Sequence, residues 1–477
     1  MTQHFLQAIS LLLAFSLATS AFGQSSLKVK NAVYSAKVVS LTTGKTLFSE
    51  NEDKTLTPAS VTKTILAAAA LEEFGPAHQF TTKVLHTGKR IHSKIKGDLI
   101  VVGAGDPFLI SEKLWQLVAD IRNLGIDEIS GDLVIDNSLF DNEWRDQSRK
   151  GAKTASRNAY DAPVSALGVN FNTFAIFIGP GSSTGKPAII TLDPYNINDI
   201  EITNTTKTTS GSEFSIKVNR KTTNGKTVLN ASGQIGKSQG IHKIYRSISN
   251  SQTTPGKIVK AFLENNQIRV QGNVVNKPLP KNARFLTEVA GYPIREIVRG
   301  LNTFSNNYIA DMLTKGLAKR AHPNSPGDLD AGSKFLKDYM KKRSKTGASL
   351  IINNGSGLDT ENKISARHLV DLLSYMYNAS SVFPEFYASL PAAGWDGTMK
   401  NRFSRSKQKR LHGLIRAKTG TLTSPISVAS LSGYLKHPKE GIVAFAILHN
   451  GIEGRSQPSI SALRDQQDQF LTSLITP

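Results

Sequence analysis

The sequence predicts an α+β protein of two or three domains, and three observations carry that prediction. The chain has 477 residues, too many for one ordinary core. Its apolar fraction of 39% suits a folded globular protein rather than a disordered one. Strand-like and helix-like patterns also fall in separate blocks, without a low-complexity tract or internal repeat.

The elements follow in order. Residues 5–23, "FLQAISLLLAFSLATSAFG", are apolar, uncharged and too short for a membrane span. Ala21 and Gly23 supply small residues at −3 and −1, so residues 1–23 read as a signal peptide cleaved before Gln24, although Met1–His4 carry no Lys or Arg. Residues 33–50 alternate apolar and polar around Thr-Thr-Gly, as a β-hairpin does. Residues 56–75, "LTPASVTKTILAAAALEEFG", read as a helix with Thr57 as cap, Pro58 at the first position and Gly75-Pro76 as stop. Residues 98–136 read strand, helix, strand. Residues 170–285 are rich in Thr, Ser, Asn and Gly between short apolar runs and predict an antiparallel β domain. Helical pattern returns near 288, and the chain closes with strands "ISVASLSGYLKH" and "GIVAFAILHN" and a final helix.

Composition excludes several chemistries. With no cysteine there is no disulfide framework, thiol nucleophile or thiolate metal site, and His-Glu-x-x-His is absent, so no cofactor or metal is expected. The net charge of +21 survives leader cleavage, because residues 1–24 are uncharged. Such a surplus attracts polyanions: cell-wall polymer or a membrane surface for an exported protein, with nucleic acid as the rival. A nucleic-acid binder would interleave aromatic platforms with its basic runs. The basic run 400–418 holds only Phe403.

Lys63 poses the sharpest question. It sits in the first turn of an apolar helix, where the dipole disfavours its charge, one turn after Ser60. A desolvated amine there would take the proton of a serine nucleophile. Ser-x-x-Lys alone is weak, since Ser93/Lys96, Ser183/Lys186, Ser404/Lys407 and Ser406/Lys409 repeat it. Three other motifs fail on context. Residues 179–187 have the wrong spacing for a phosphate loop, 103–108 lack the third glycine of a dinucleotide fingerprint, and 236–240 match Gly-x-Ser-x-Gly at a hairpin turn. Of the two Lys-Thr-Gly triplets, 345–347 ends a charged helix with Gly347 as its cap, while 418–420 lies in strand context.

What remains is an ordered set: Ser60-Val61-Thr62-Lys63, Ser305-Asn306-Asn307 and Lys418-Thr419-Gly420. With "GDPFL", "GDLVIDNSLF", "YDAPVSALGVNFN", "NGSGLD" and "LPAAGWDGTM", this set resembles the D-alanyl-D-alanine carboxypeptidase/endopeptidase family, the class C low-molecular-mass penicillin-binding proteins. The similarity runs from about residue 30 to 450, and the separation of 242 positions from Lys63 to Ser305 matches a family that inserts domains there. Two positions differ: Asn306 stands where the family commonly has Asp, and Asn354 where it often has Asp.

The resemblance implies a transpeptidase-like core, a five-stranded antiparallel sheet with helices on both faces, split between 25–84 and 286–477. A β-rich insert would span 85–97 and 165–285, and a small α/β insert 98–164. It implies a periplasmic serine peptidase that hydrolyses the terminal D-Ala-D-Ala bond, D-Ala cross-links of peptidoglycan peptides, or both, and that binds β-lactams covalently. Ser60 would form the acyl-enzyme, Lys63 act as base, Ser305 relay a proton, and Asn307 orient Lys63. Lys418 would place positive charge near the substrate carboxylate, which the Thr419 and Thr421 hydroxyls would bind. Gly420 would admit the substrate backbone, and the N–H groups of Ser60 and Thr421 would form the oxyanion hole. His412 and His449 read as structural, while Trp144 and Asp146 are candidates to contact a substrate side chain. An exported but catalytically idle sensor of peptidoglycan is the alternative that these intact residues disfavour.

Overall fold

The computed structural model of the protein describes residues 26–475 apart from 147, 149–157, 196, 198, 224 and 225. The predicted leader, residues 1–23, therefore lies outside the described residues. Among those described, no helix is long and apolar enough to cross a membrane.

The two ends of the chain meet in one sheet. Strands Ile415–Leu422, Val428–His437, Gly441–Gly451, Ala32–Ser40 and Thr46–Glu50 pair in that order, all antiparallel. The predicted hairpin thus adds to the C-terminal strands and completes the five-stranded sheet. Helices cover both faces. On one side, helix Lys63–Phe74 packs with Ile294–Phe304 and Asn307–Ala321, while Ala366–Asn378 packs on strands Gly441–Gly451 and Ala32–Ser40. On the other, Phe470, Leu471 and Leu474 of the final helix Ile460–Leu474 pack against Ala417, Leu431 and Phe445.

Helix Lys63–Phe74 is buried from Lys63 through Leu71, not on one face only. Its alanine run explains this, because small side chains let neighbouring helices approach on all sides. Gly75 ends the helix at φ 84°, as expected. The start differs. The first turn, Ala59–Thr62, is a 3₁₀ turn, and Thr57 does not cap it. The Thr57 hydroxyl instead donates to Thr360 O at 2.9 Å and accepts from Lys363 Nζ at 2.9 Å.

The predicted helical stretch from 288 breaks at Ser305. That residue adopts φ 55°, caps helix Ile294–Phe304, and lets a second helix start at Asn307. Asn306 caps the second helix by accepting from Ile309 N at 3.1 Å. An N-cap accepts Asn as readily as Asp, so the departure at this position costs the fold nothing.

Between Lys63 and Ser305 the chain builds two further regions. One is a mixed five-stranded sheet, Val274–Asn276, Leu133–Asp136, Leu99–Val102, Gln79–His86 and Arg284–Pro293, with helices Ser111–Asn123 and Thr254–Asn265. Strand Lys94–Lys96 pairs with Glu128–Ile129. Residues 94–96 therefore hydrogen-bond into the α/β region, not into the β-rich segment as expected, and helix Thr254–Asn265 packs there too. The other region has two three-stranded sheets. Strand Ile200–Thr209 runs parallel to Lys226–Gly236, where antiparallel pairing was expected. The hairpin Lys217–Gly236 puts its second strand in the centre, next to a strand of the same direction. Residues 179–187 and 236–240 are connections between strands. Gly347 is no helix cap, because helix Leu329–Lys341 ends at Lys342.

Candidate active site

Ser60 lies in the 3₁₀ turn that opens the buried helix, after Ala59 held at φ 51°. Two glycines clamp this turn. A Cβ on Gly357 would lie 2.0 Å from Ala59 O, and one on Gly420 would lie 2.4 Å from Pro58 O. Gly420 is thus demanded by the protein's own backbone, a reason unlike the substrate access that sequence similarity implied. The contact brings the edge strand Ile415–Leu422 directly against the turn that carries Ser60.

One turn later, Lys63 is fully buried. Its Nζ lies 3.0 Å from Ser60 Oγ, 2.7 Å from Asn307 Oδ1 and within hydrogen-bond reach of Ser356 O. The last two atoms can only accept. Asn307 is held in turn, since its Nδ2 donates to Tyr160 O at 2.9 Å. The amide orientation that presents Oδ1 to Lys63 is therefore fixed from the inserted region. Asn354 supports the Ser356 loop: its Oδ1 accepts from Gly357 N at 2.8 Å, and its Nδ2 donates to Asp146 Oδ2 at 3.1 Å. Asp146 is buried against this loop, and the Trp144 ring nitrogen is buried as well.

Lys418 is also fully buried. Its Nζ donates to Ser305 Oγ at 2.8 Å and to Thr419 O at 2.9 Å. Its charge is thus turned toward Ser305 rather than outward along the strand. Burial first, and then the nearby Lys63, hold its pKa well below the usual lysine value. Because Ser305 Oγ accepts from Lys418, its own hydrogen remains to be donated.

Alternation along the strand places Thr419 and Thr421 on the other face from Lys418 and Gly420. Thr419 Oγ1 donates to Thr398 Oγ1 at 2.8 Å, and Thr421 Oγ1 accepts from Arg464 Nη2 at 2.8 Å. Ala417 N donates outward to Pro391 O, so the N–H groups two and four residues on, at Thr419 and Thr421, point to the same edge. Exposed aromatic rings stand nearby in the chain: Phe304 beside Ser305, and Trp395 in the loop that carries Thr398. His412 and His449 each bond a backbone carbonyl.

All five candidate catalytic residues thus fall in two hydrogen-bonded groups, Ser60–Lys63–Asn307 and Ser305–Lys418. Sequence reasoning assigned no role to the Ser356 carbonyl, the Tyr160 carbonyl, Thr398 or Arg464. The first three lie in the "NGSGLD", "YDAPVSALG" and "LPAAGWDGTM" segments, whose similarity was visible although their function was not. Nothing in the sequence marked Arg464.

Comparison with known proteins decides the family. The model of the D-Ala-D-Ala carboxypeptidase 3 (S13) family matches residues 21–474. This chain belongs to that family. It is accordingly a peptidase of the D-Ala-D-Ala carboxypeptidase class. A D-alanyl-D-alanine carboxypeptidase from Actinomadura sp. (strain R39) is 30% identical over 457 residues, covering 92% of this chain and 80% of the relative. D-alanyl-D-alanine carboxypeptidase DacB from Haemophilus influenzae is 23% identical over 400 residues, covering 82% of this chain and 80% of that one. The crystal structure of penicillin binding protein 4 (dacB) from Haemophilus influenzae superposes with a TM-score of 0.75 at 22% identity, covering 94% of this chain and 96% of that one, and shows the same fold.

Proposed function

We propose that the protein is an exported serine DD-peptidase that works in the periplasm on peptidoglycan peptides through an acyl-enzyme on Ser60. The observation that carries this reading is the Lys63 amine, 3.0 Å from Ser60 Oγ and held by two acceptor-only oxygens. In its neutral form the amine has two N–H groups, which those two oxygens take. Its lone pair is then left for the Ser60 proton, as general-base activation requires. Ser60 attacks the scissile carbonyl, and the oxyanion settles between the N–H groups of Ser60 and Thr421. Such a donor is worth roughly 3–4 kcal/mol in related acyl transfer. Ser305, hydrogen-bonded to Lys418, passes a proton to the leaving amine, and water then releases the acyl group.

The same chemistry serves a terminal D-Ala-D-Ala bond and a D-Ala cross-link, and a β-lactam would trap the acyl stage. Incubation with purified muropeptides, read by mass spectrometry, tests this. Loss of one alanine from pentapeptides marks carboxypeptidase action, and conversion of cross-linked dimers to monomers marks endopeptidase action. A protein that changes neither and forms no adduct with penicillin overturns the reading.

The basic run 400–418 contributes less surface charge than its composition implies. Arg402 and Lys418 are buried, Arg405 pairs with Asp465, and Arg416 reaches Leu390 O. Lys400, Lys407 and Lys409 remain exposed and carry the proposed attraction to anionic wall polymer or membrane. Unchanged, salt-insensitive binding to sacculi after their replacement by Gln would refute it.

A further inference from the structure

The chain runs left-handed through three successive residues. Asn170, Phe171 and Asn172 hold φ of 49°, 59° and 50°, a region that L-residues enter singly rather than in runs. The surrounding bonds enforce it. Asn170 N donates to Leu109 O at 3.0 Å, Asn170 Oδ1 accepts from Ser111 N at 2.9 Å, and Asn172 Nδ2 donates to Pro163 O at 2.8 Å. Conformations this costly persist where the surroundings over-determine them, and they gather at binding sites. The run sets the Phe171 ring against Phe108 and Tyr308, with centroids 5.3 Å and 6.2 Å away, and Tyr308 follows Asn307 in the chain.

Beside this run a cavity of about 280 Å³ lies between the start of helix Ser111–Asn123 and the sheet of strands Ile189–Asp193, Thr173–Gly179 and His242–Ser247. Its walls are amphipathic. Ile110, Phe171, Ala175 and the Tyr245 ring are apolar, while Glu112 and Asp193 bring carboxylates. Asp193 and Tyr245 flank Ala175 in one row of the sheet, so the three side chains share a face. Tyr292 Oη donates to Glu112 Oε2 at 2.9 Å. Among the described residues neither carboxylate has a cationic side chain within 4 Å. In a chain of net charge +21 the cavity is thus a local acidic spot that repels anions. Tyr245 is 49% exposed, and Trp115, one helical turn on from Ser111 and Glu112, is 59% exposed.

A sugar ring has the matching chemistry. Its C–H face is apolar and lies flat on an aromatic ring, and its rim carries hydroxyl and amide donors that carboxylates accept strongly. Carboxylates without a counter-ion beside an exposed aromatic ring suit a neutral, donor-rich ligand of this kind. The cavity is at the small end of ligand sites, the size for one ring, and Trp115 offers a platform for the next. We propose that this cavity binds an N-acetylated sugar of the glycan strand that carries the peptides, at a site separate from Ser60. Phe171 connects the two sites, since it lines the cavity and packs on the residue after Asn307. The glycan strand as the source of the sugar rests on the DD-peptidase reading.

The test titrates the protein with tri-N-acetylchitotriose, a soluble and neutral amino-sugar oligomer, followed by ligand-observed NMR. Binding is expected with a Kd on the order of 1 mM. Tyr245→Ala should weaken it at least about tenfold. Asp193→Asn, which keeps an acceptor and loses the charge, should weaken it about threefold, and Ser60→Ala should leave it unchanged. On peptides still attached to glycan strands, Tyr245→Ala should raise KM at least about threefold, while kcat/KM on a free pentapeptide stays at the wild-type value. A wild-type protein that does not bind the oligomer, or binding that both cavity substitutions leave unchanged, overturns the saccharide site and leaves the DD-peptidase reading standing. Equal KM shifts on glycan-linked and free peptides overturn it as well. Binding that responds to both substitutions, in a protein that hydrolyses no muropeptide, supports the site and overturns the DD-peptidase reading.

Discussion

Lys315 and Lys418 are both fully buried, yet their surroundings differ in kind. Lys315, in helix Asn307–Ala321, pairs with Asp141, donates to Glu143 O at 2.6 Å and stands over the Phe140 ring. Burial lowers its pKa, but Asp141 opposes the shift. It ties the helix that carries Asn307 to the inserted α/β region. Lys418 has only neutral acceptors, and among the described residues no carboxylate lies within 4 Å. Its one charged influence is another lysine, and the two effects add rather than oppose. A buried lysine with a counter-ion is a tie between elements. One without a counter-ion is held below its ordinary pKa, which favours the neutral amine that a proton-transfer role would use.

The comparison yields predictions in order of size. Ser60→Ala should abolish covalent labelling by a fluorescent penicillin, and Lys63→Met should slow acylation by at least about 10³-fold, measured by stopped-flow fluorescence. Lys418→Met and Lys315→Met should then separate the two kinds of burial. The first is expected to lose about 10²-fold or more in acylation with little change in Tm. The second should lose up to about 3 kcal/mol of stability, because Asp141 is left half-covered without its partner, while acylation by the folded fraction persists. Equal stability losses in both variants would erase the distinction.

The pH dependence sharpens the same point. Lys418 is held well below the usual lysine value, so as pH falls it takes up a proton, and acylation should rise with pH along a limb well below 10.5. Lys418→Met removes that group and should abolish the limb. A limb that stays in place would show that Lys418 is not the group that titrates.

A smaller effect is expected in the inserted region. Asp106 is buried and its carboxyl is pushed up to about 7, chiefly by desolvation, while Phe108 N donates to one oxygen. A folded-state pKa above the unfolded value of 3.8 means stability is full below about 4 and declines as pH rises toward 7. Asp106→Asn should flatten that decline in Tm and raise stability at neutral pH by on the order of 2 kcal/mol.

Much of this was legible in the sequence, for identifiable reasons. The hairpin, the final strands and the buried helix were readable because alternation and an apolar run with a glycine stop are local signals. The placement of Ser60, Lys63, Ser305, Asn307 and Lys418 near one another was readable because three short motifs kept their order. The pairing of residues 94–96 with 128–129 and the parallel pair 200–209 with 226–236 were not, since strand partners are set by long-range packing. The backbone reason for Gly420 was hidden for the same cause: the atom it must avoid, Pro58 O, lies 362 residues away in the chain. Arg464 left no local trace at all, because its bond to Thr421 joins residues 43 apart in the chain.

The most direct test of the central claim is peptide mapping by mass spectrometry after brief exposure to benzylpenicillin. The account predicts a penicilloyl adduct on the peptide containing Ser60 and none in Ser60→Ala. An adduct on Ser305, or one that survives in Ser60→Ala, would contradict it.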